Sequence, residues 1–86
     1  MEGVTAVPTI VMFAIARQVA GTGQATVPGT TLDEALRFAV NQFGSKFEHV
    51  LQHSRVWLNG SDAKQGGVTP VGQNDEIAVI PAVAGG

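Results

Sequence analysis

With 86 residues, 44% of them hydrophobic and 14% charged, the chain has the size and composition of one packed domain, and a second core or a disordered polymer is excluded. The absence of cysteine rules out a disulfide, a thiolate metal centre and a cysteine nucleophile. Five basic against seven acidic residues give a net charge of −2 with no basic stripe to neutralise phosphates, so no nucleic acid is expected among the partners.

Residues 1–8 contain the breakers Gly3 and Pro8 and read as a flexible N-terminal arm. Thr9 to Ala16, TIVMFAIA, is a nearly continuous apolar run with β-branched and aromatic members, which predicts a strand contacted on both faces inside a sheet. Alternation along it places Ile10, Met12 and Ala14 on one side and Val11, Phe13 and Ile15 on the other. The apolar run from Val7 to Ala16 is too short to span a bilayer and no Lys or Arg precedes it, so no membrane association is expected and the protein is read as cytoplasmic.

Gly21-Thr22-Gly23 reads as a turn, followed by a short extended piece from Gln24 to Val27, and the simplest layout is a hairpin of the first two strands. These glycines do not open a helix, which argues against a phosphate loop. Thr31 and Glu34 have capping-box spacing: the Thr hydroxyl accepts from the first turn while the Glu reaches back to the cap N–H. From there Leu32, Ala35, Leu36, Ala39, Val40 and Phe43 trace one buried helical face, and Gly44 supplies the stop.

Ser45 to Gln52 keeps a weaker pattern through Phe47, Val50 and Leu51, which suits a helical turn or short helix. Arg55 to Leu58 is a strand entering an Asn59-Gly60 reversal, with Trp57 at the core or its rim. A polar connection over Ser61 to Gly67, with room for a short extra strand, and a tight loop from Thr69 to Asp75 lead into a last strand from Glu76 to Ile80. Pro81 cannot donate to a ladder and marks where the strand leaves the sheet.

The elements make an α+β domain with a β-grasp, ubiquitin-like arrangement. It is a mixed sheet with one main helix packed on one face, over residues 9–80, and a flexible C-terminal Gly-Gly tail over residues 81–86. Two residues without a Cβ thread a narrow channel, so a partner can approach the Gly86 carboxylate closely with Gly85 as clearance. Extended, residues 81–86 reach roughly 20 Å, enough to enter a neighbouring enzyme while the globule stays outside. Ile77 and Val79 are expected on the helix-covered face, which leaves Phe13 and Ile80 as an apolar docking patch beside the tail.

His49 and His53 have i, i+4 spacing, but no third ligand is evident and no metal site is expected. The adjacent carboxylates Asp33-Glu34 and Asp75-Glu76 point apart on their elements and do not suggest acid–base chemistry. Lys46 and Lys64 are the lysines available as isopeptide acceptors.

The segments MFAIARQVAGT (12–22), VPGTTLDEAL (27–36), WLNG (57–60) and TPVGQNDEIAVIPAVAGG (69–86) resemble the MoaD/ThiS family of ubiquitin-like sulfur carriers, nearer the MoaD branch, the small subunit of molybdopterin synthase. The resemblance implies that Gly86 is adenylated by an ATP-dependent, ubiquitin-activating-type enzyme (MoeB/ThiF-like) and converted to a thiocarboxylate. The sulfur then passes to a synthase such as the molybdopterin synthase large subunit. A sulfur donor protein completes the partners. ATP and Mg come with the activating enzyme, because this chain has neither P-loop nor cysteine and is inert alone. Pro81, Ala82, Val83 and Ala84 form the tail the partners hold, and they stand where family members often show two prolines before a small residue. The same terminus could serve cysteine, thiamine or a specialised sulfur metabolite, or form isopeptide bonds as a protein modifier. A non-reactive interaction domain is the third class.

Overall fold

The computed structural model describes residues 7–63 and 69–82. A mixed five-stranded sheet is built from β1 (Thr9–Met12), β2 (Gln24–Thr26), β3 (Ser54–Leu58), β4 (Ser61–Ala63) and β5 (Glu76–Pro81). Its order is β2-β1-β5-β3-β4. Only β1 and β5 run parallel; Ile10 lies opposite Ile77 and Met12 opposite Val79. Among the described residues three helices accompany the sheet: α1 (Ala14–Ala20), α2 (Leu32–Phe43) and α3 (Ser45–Gln52). This is the expected β-grasp architecture, with β1 interior and β5 at the centre.

The core is one cluster. Ile10 and Met12 from β1, Ile77 and Val79 from β5 and Val56 from β3 meet Ala16 of α1, Leu32, Leu36 and Ala39 of α2, and Phe47 and Leu51 of α3. Period-2 burial along β1 and β5 against period-3.6 burial along α2 brings these side chains to a shared layer, where each Leu or Ile contributes about 1.5–3 kcal/mol by leaving water. Phe43 and Phe47 extend the cluster with ring centroids 5.3 Å apart. The alternation shows that β1 is covered on one face: Thr9 and Val11 are only half-buried. The expectation of contacts on both faces is thereby corrected.

The first strand is also shorter than the apolar run. Phe13 leaves the ladder as the N-cap of α1, so Ala14, Ile15 and Ala16 belong to a helix. The cause lies across the sheet. The Phe13 N–H donates to the Val79 carbonyl at 3.2 Å, and in a continuing parallel ladder the Phe13 carbonyl would accept from the residue two beyond Val79. That residue is Pro81, which has no N–H. The Phe13 carbonyl accepts instead from Ala16 and Arg17 at 3.1 and 3.4 Å, opening a helix through good helix formers. Gly21, at φ 78, closes it by donating its N–H to Arg17. The strands β1 and β2 are therefore antiparallel neighbours joined through α1, not a tight hairpin.

The principal helix starts as predicted, with one change in its cap. Thr31 Oγ1 accepts from the Glu34 N–H at 3.2 Å, but the Glu34 carboxylate reaches past Thr31 to the N–H and hydroxyl of Thr30, at 2.8 and 3.0 Å. Thr31 has an extended backbone and forms an antiparallel bridge with Pro70, while Leu32 donates to the Thr69 carbonyl and Val71 to that of Thr30, so the loop before β5 is stitched to the helix start. The Asn59-Gly60 reversal has φ of 52 and 84, as a two-residue hairpin requires. Its second strand is β4, within the stretch expected to be mainly a polar connection.

Candidate functional site

The root of the tail is fixed by three strands. Because β1 and β5 are parallel, their C-terminal ends reach the same edge of the sheet, and Phe13 sits there beside Ile80. Pro81 is the last residue of β5, opposite Ser54 of β3, and the Ala82 N–H donates to the His53 carbonyl at 3.1 Å. The chain thus leaves the fold at exposed Ala82. Val83, Ala84, Gly85 and Gly86, named in the sequence as the end of the tail, lie outside the described residues.

Of the two patch residues, Phe13 is 46% exposed and Ile80 is half-buried. Sequence reasoning missed Ile15, which is 45% exposed and two residues from Phe13. The apolar alternation extends a strand through it, whereas the helix-forming composition of ARQVA followed by Gly21 is the signal that points to a helix. Between them Ala14 has φ 52, in the left-handed region that costs a non-glycine residue about 1–2 kcal/mol. Ala78 and Trp57 lie opposite each other on the open face of the sheet, with Val11 beside Ala78. Trp57 Nε1 is buried without a hydrogen-bond acceptor.

The carboxylates serve the frame. Hydrogen bonds from the Thr30 backbone and hydroxyl hold the Glu34 carboxyl below its ordinary value. Asp75 is lowered by the Asn59 side-chain amide and then by the Gly72 N–H. Asn59 also accepts from the Glu76 N–H at 2.8 Å, which clasps the β3–β4 turn to the start of β5. His49 and His53 are exposed, with ring centroids 4.9 Å apart. Among the described residues no group of three or more His, Cys, Asp or Glu is placed to hold a metal ion. No described helix is long and apolar enough to cross a membrane.

Comparison with known proteins is consistent with this geometry. The ThiS family model matches residues 10–86. Small archaeal modifier protein 1 from Methanosarcina acetivorans superposes with a TM-score of 0.82 at 22% identity, covering 98% of this chain and 100% of that one. A putative molybdopterin converting factor subunit 1 from Pyrococcus furiosus gives 0.77 at 17% identity, covering 92% and 100%. A chain of the Amycolatopsis orientalis BexX/CysO complex gives 0.73 at 23% identity, covering 91% and 98%. No curated protein matches the sequence.

Proposed function

Because the chain belongs to the ThiS family, we propose that it is a sulfur carrier whose Gly86 carboxylate is adenylated and then converted to a thiocarboxylate for molybdopterin biosynthesis. The observation that carries this is the continuity of the family match through Gly86, on a fold that leads its central strand out at Ala82. A carboxylate resists attack because its charge is delocalised and oxide is a poor leaving group. Attack of a Gly86 oxygen on the α-phosphorus of ATP releases pyrophosphate and makes AMP the leaving group. Sulfur at the sulfide level, brought by a donor protein, then displaces AMP.

This division of labour explains what the chain holds. Magnesium, phosphate clamps and the sulfur donor belong to partners, and the domain supplies a rigid handle with a terminus that is unbranched at its last two residues. The activating enzyme is of the MoeB/ThiF type and the acceptor is a pterin synthase large subunit. Phe13 and Ile80 dock beside the tail, Pro81 and Ala82 present it at the sheet's end, and Val83 and Ala84 enter the partner's channel.

A second reading, a protein modifier joined through Gly86, is favoured by the likeness to small archaeal modifier protein 1. Incubation with an activating enzyme, ATP and a sulfur source separates the two. The carrier gains the mass difference between sulfur and oxygen, whereas a modifier appears as ladders on other proteins. Neither product refutes both readings.

A further inference from the structure

We propose that Asn59 is a latent deamidation site, kept unreactive by a clasp on the start of β5, and that its conversion to a carboxylate shuts the β3–β4 turn out of that clasp for good. The site lies at the opposite end of β5 from the tail and uses none of the groups assigned to sulfur transfer.

The residue pair carries the chemistry. Of the three asparagines, Asn41, Asn59 and Asn74, only Asn59 is followed by glycine. The Gly60 amide nitrogen has no side chain beside it to hinder its approach to the Asn59 carboxamide carbon. In the reaction a bond forms between Gly60 N and Asn59 Cγ, the Cγ–Nδ2 bond breaks, and the Gly60 amide hydrogen leaves with Nδ2 as ammonia. Water then opens the cyclic imide. Opening at Cγ gives aspartate at position 59, and opening at the main-chain carbonyl gives isoaspartate, with the chain running through Cγ. Either way an amide and a water become an acid and ammonia. Both residues are exposed, and nothing beyond its chain neighbours lies within 4 Å of where a Gly60 Cβ would stand, so water reaches the turn.

The fold holds this reaction back. The Asn59 N–H donates to the Glu76 carbonyl at 2.8 Å, its Nδ2 donates to Asp75 Oδ1 at 2.9 Å, and its Oδ1 accepts from the Glu76 N–H at 2.8 Å. Both polar atoms of the carboxamide are thus bound toward β5, and the group that must leave is itself tied to a carboxylate. Asp75 is held in turn: its Oδ2 accepts from the Gly72 N–H at 2.7 Å, and its carbonyl accepts from the Thr9 N–H of β1 at 3.1 Å. Gly60 therefore attacks only when the turn opens locally, with the rest of the sheet intact.

The product cannot re-form the clasp. A carboxylate only accepts, so the donation to Asp75 is lost and two like charges face each other where nitrogen and oxygen stood 2.9 Å apart. Glu76 places a third acidic residue next to them. Isoaspartate also lengthens the main chain within a two-residue reversal that has φ of 52 and 84, and so breaks the pairing of Leu58 with Ser61. Deamidation turns a reversible opening into a one-way release of the β3–β4 turn from the central strand.

The test incubates the full chain at mildly alkaline pH, follows intact mass for the replacement of an amide by an acid, and locates the change by peptide mapping. Conversion is expected at Asn59 and not at Asn41 or Asn74, and about tenfold or more faster in denaturing guanidinium chloride, where the hydrogen bonds of the clasp are gone. Asp75→Ala is expected to react about tenfold faster than the unaltered chain while folded, because the carboxylate acceptor is removed. Gly29→Ala, destabilised away from the turn, is expected to keep the folded rate of the unaltered chain. The deamidated protein and Asn59→Asp are both expected to melt about 5 °C or more lower. An Asp75→Ala rate equal to that of the unaltered chain, or an equal acceleration in Gly29→Ala, overturns the gating by the clasp. If Asp75→Ala does not fold, hydrogen exchange at the Glu76 N–H decides the point: it is expected to rise in parallel with deamidation as low guanidinium chloride is added, and divergence overturns the gating. Asn59 left intact in the denaturant overturns the site, and an unchanged melting temperature in Asn59→Asp and the deamidated protein overturns the one-way release.

Discussion

Replacing Gly29 by Ala forces a methyl group into the start of the principal helix. Its Cβ would lie 2.7 Å from the Ala35 nitrogen, 3.0 Å from its Cα and 3.2 Å from its Cβ, where carbon contacts normally settle at about 3.5–4.0 Å. The helix cannot easily withdraw. Its first turn is held by Thr31 Oγ1, by the Glu34–Thr30 bonds and by the Thr69 and Val71 backbone, and Leu32 and Ala35 are fully buried. Overpacking of this kind costs about 1–3 kcal/mol, offset by about 0.4–1 kcal/mol from the stiffer unfolded chain. The net loss is about 1–2 kcal/mol, or a fall in melting temperature of about 5–15 °C for a domain of this size. Urea titration followed by Trp57 fluorescence reads it, with an unchanged m value expected. Gly72→Ala is the control, since its Cβ would meet only Asp75 Oδ2 at 3.9 Å. A Gly29→Ala protein as stable as the unaltered chain refutes the close approach.

Other outcomes follow from the same geometry. Gly86→Val should abolish ATP–pyrophosphate exchange while leaving the melting temperature unchanged, and a normal exchange rate sinks the assignment of Gly86. Ala14→Gly should be neutral to stabilising by up to about 1 kcal/mol, because relief of the left-handed strain outweighs the extra chain entropy of glycine; clear destabilisation in a urea melt contradicts this. Glu34 and Asp75 have lowered folded-state values, so their contribution is complete above the unfolded carboxylate range of about pH 4 and is lost as pH falls through the folded values. Urea midpoints measured from pH 7 down to pH 2 should fall at the acid end, and less steeply in Glu34→Gln and Asp75→Asn; identical acid slopes in all three proteins would rule out these two groups as the cause.

What could be read from the sequence follows from how local each signal is. The principal helix was legible to the residue because its cap, its apolar face and its stop at Gly44 are all short-range, and the Asn59-Gly60 reversal likewise. The end of β1 was not, since it depends on Pro81 lying across a parallel pair, a partnership separated by most of the chain. Missing that break hid α1, and with it the exposure of Ile15 and the strain at Ala14. Glu34 reaching to Thr30 instead of Thr31 is a matter of side-chain geometry that spacing alone does not decide. Alternation puts Phe13 on the exposed side of a strand that in fact ends just before it, and its observed exposure comes from the turn into α1. The terminal glycines are legible as residue types, and the reactivity proposed for Gly86 depends on a partner that the sequence does not contain.

The central claim is a thiocarboxylate at Gly86, and intact mass spectrometry after incubation with the activating enzyme, ATP and a sulfur source tests it most directly. The account predicts a gain equal to the difference between sulfur and oxygen, localised to the C-terminal peptide and lost in Gly86→Val. An unchanged mass under conditions in which the enzyme turns over its ATP, or sulfur found on any other residue, contradicts it.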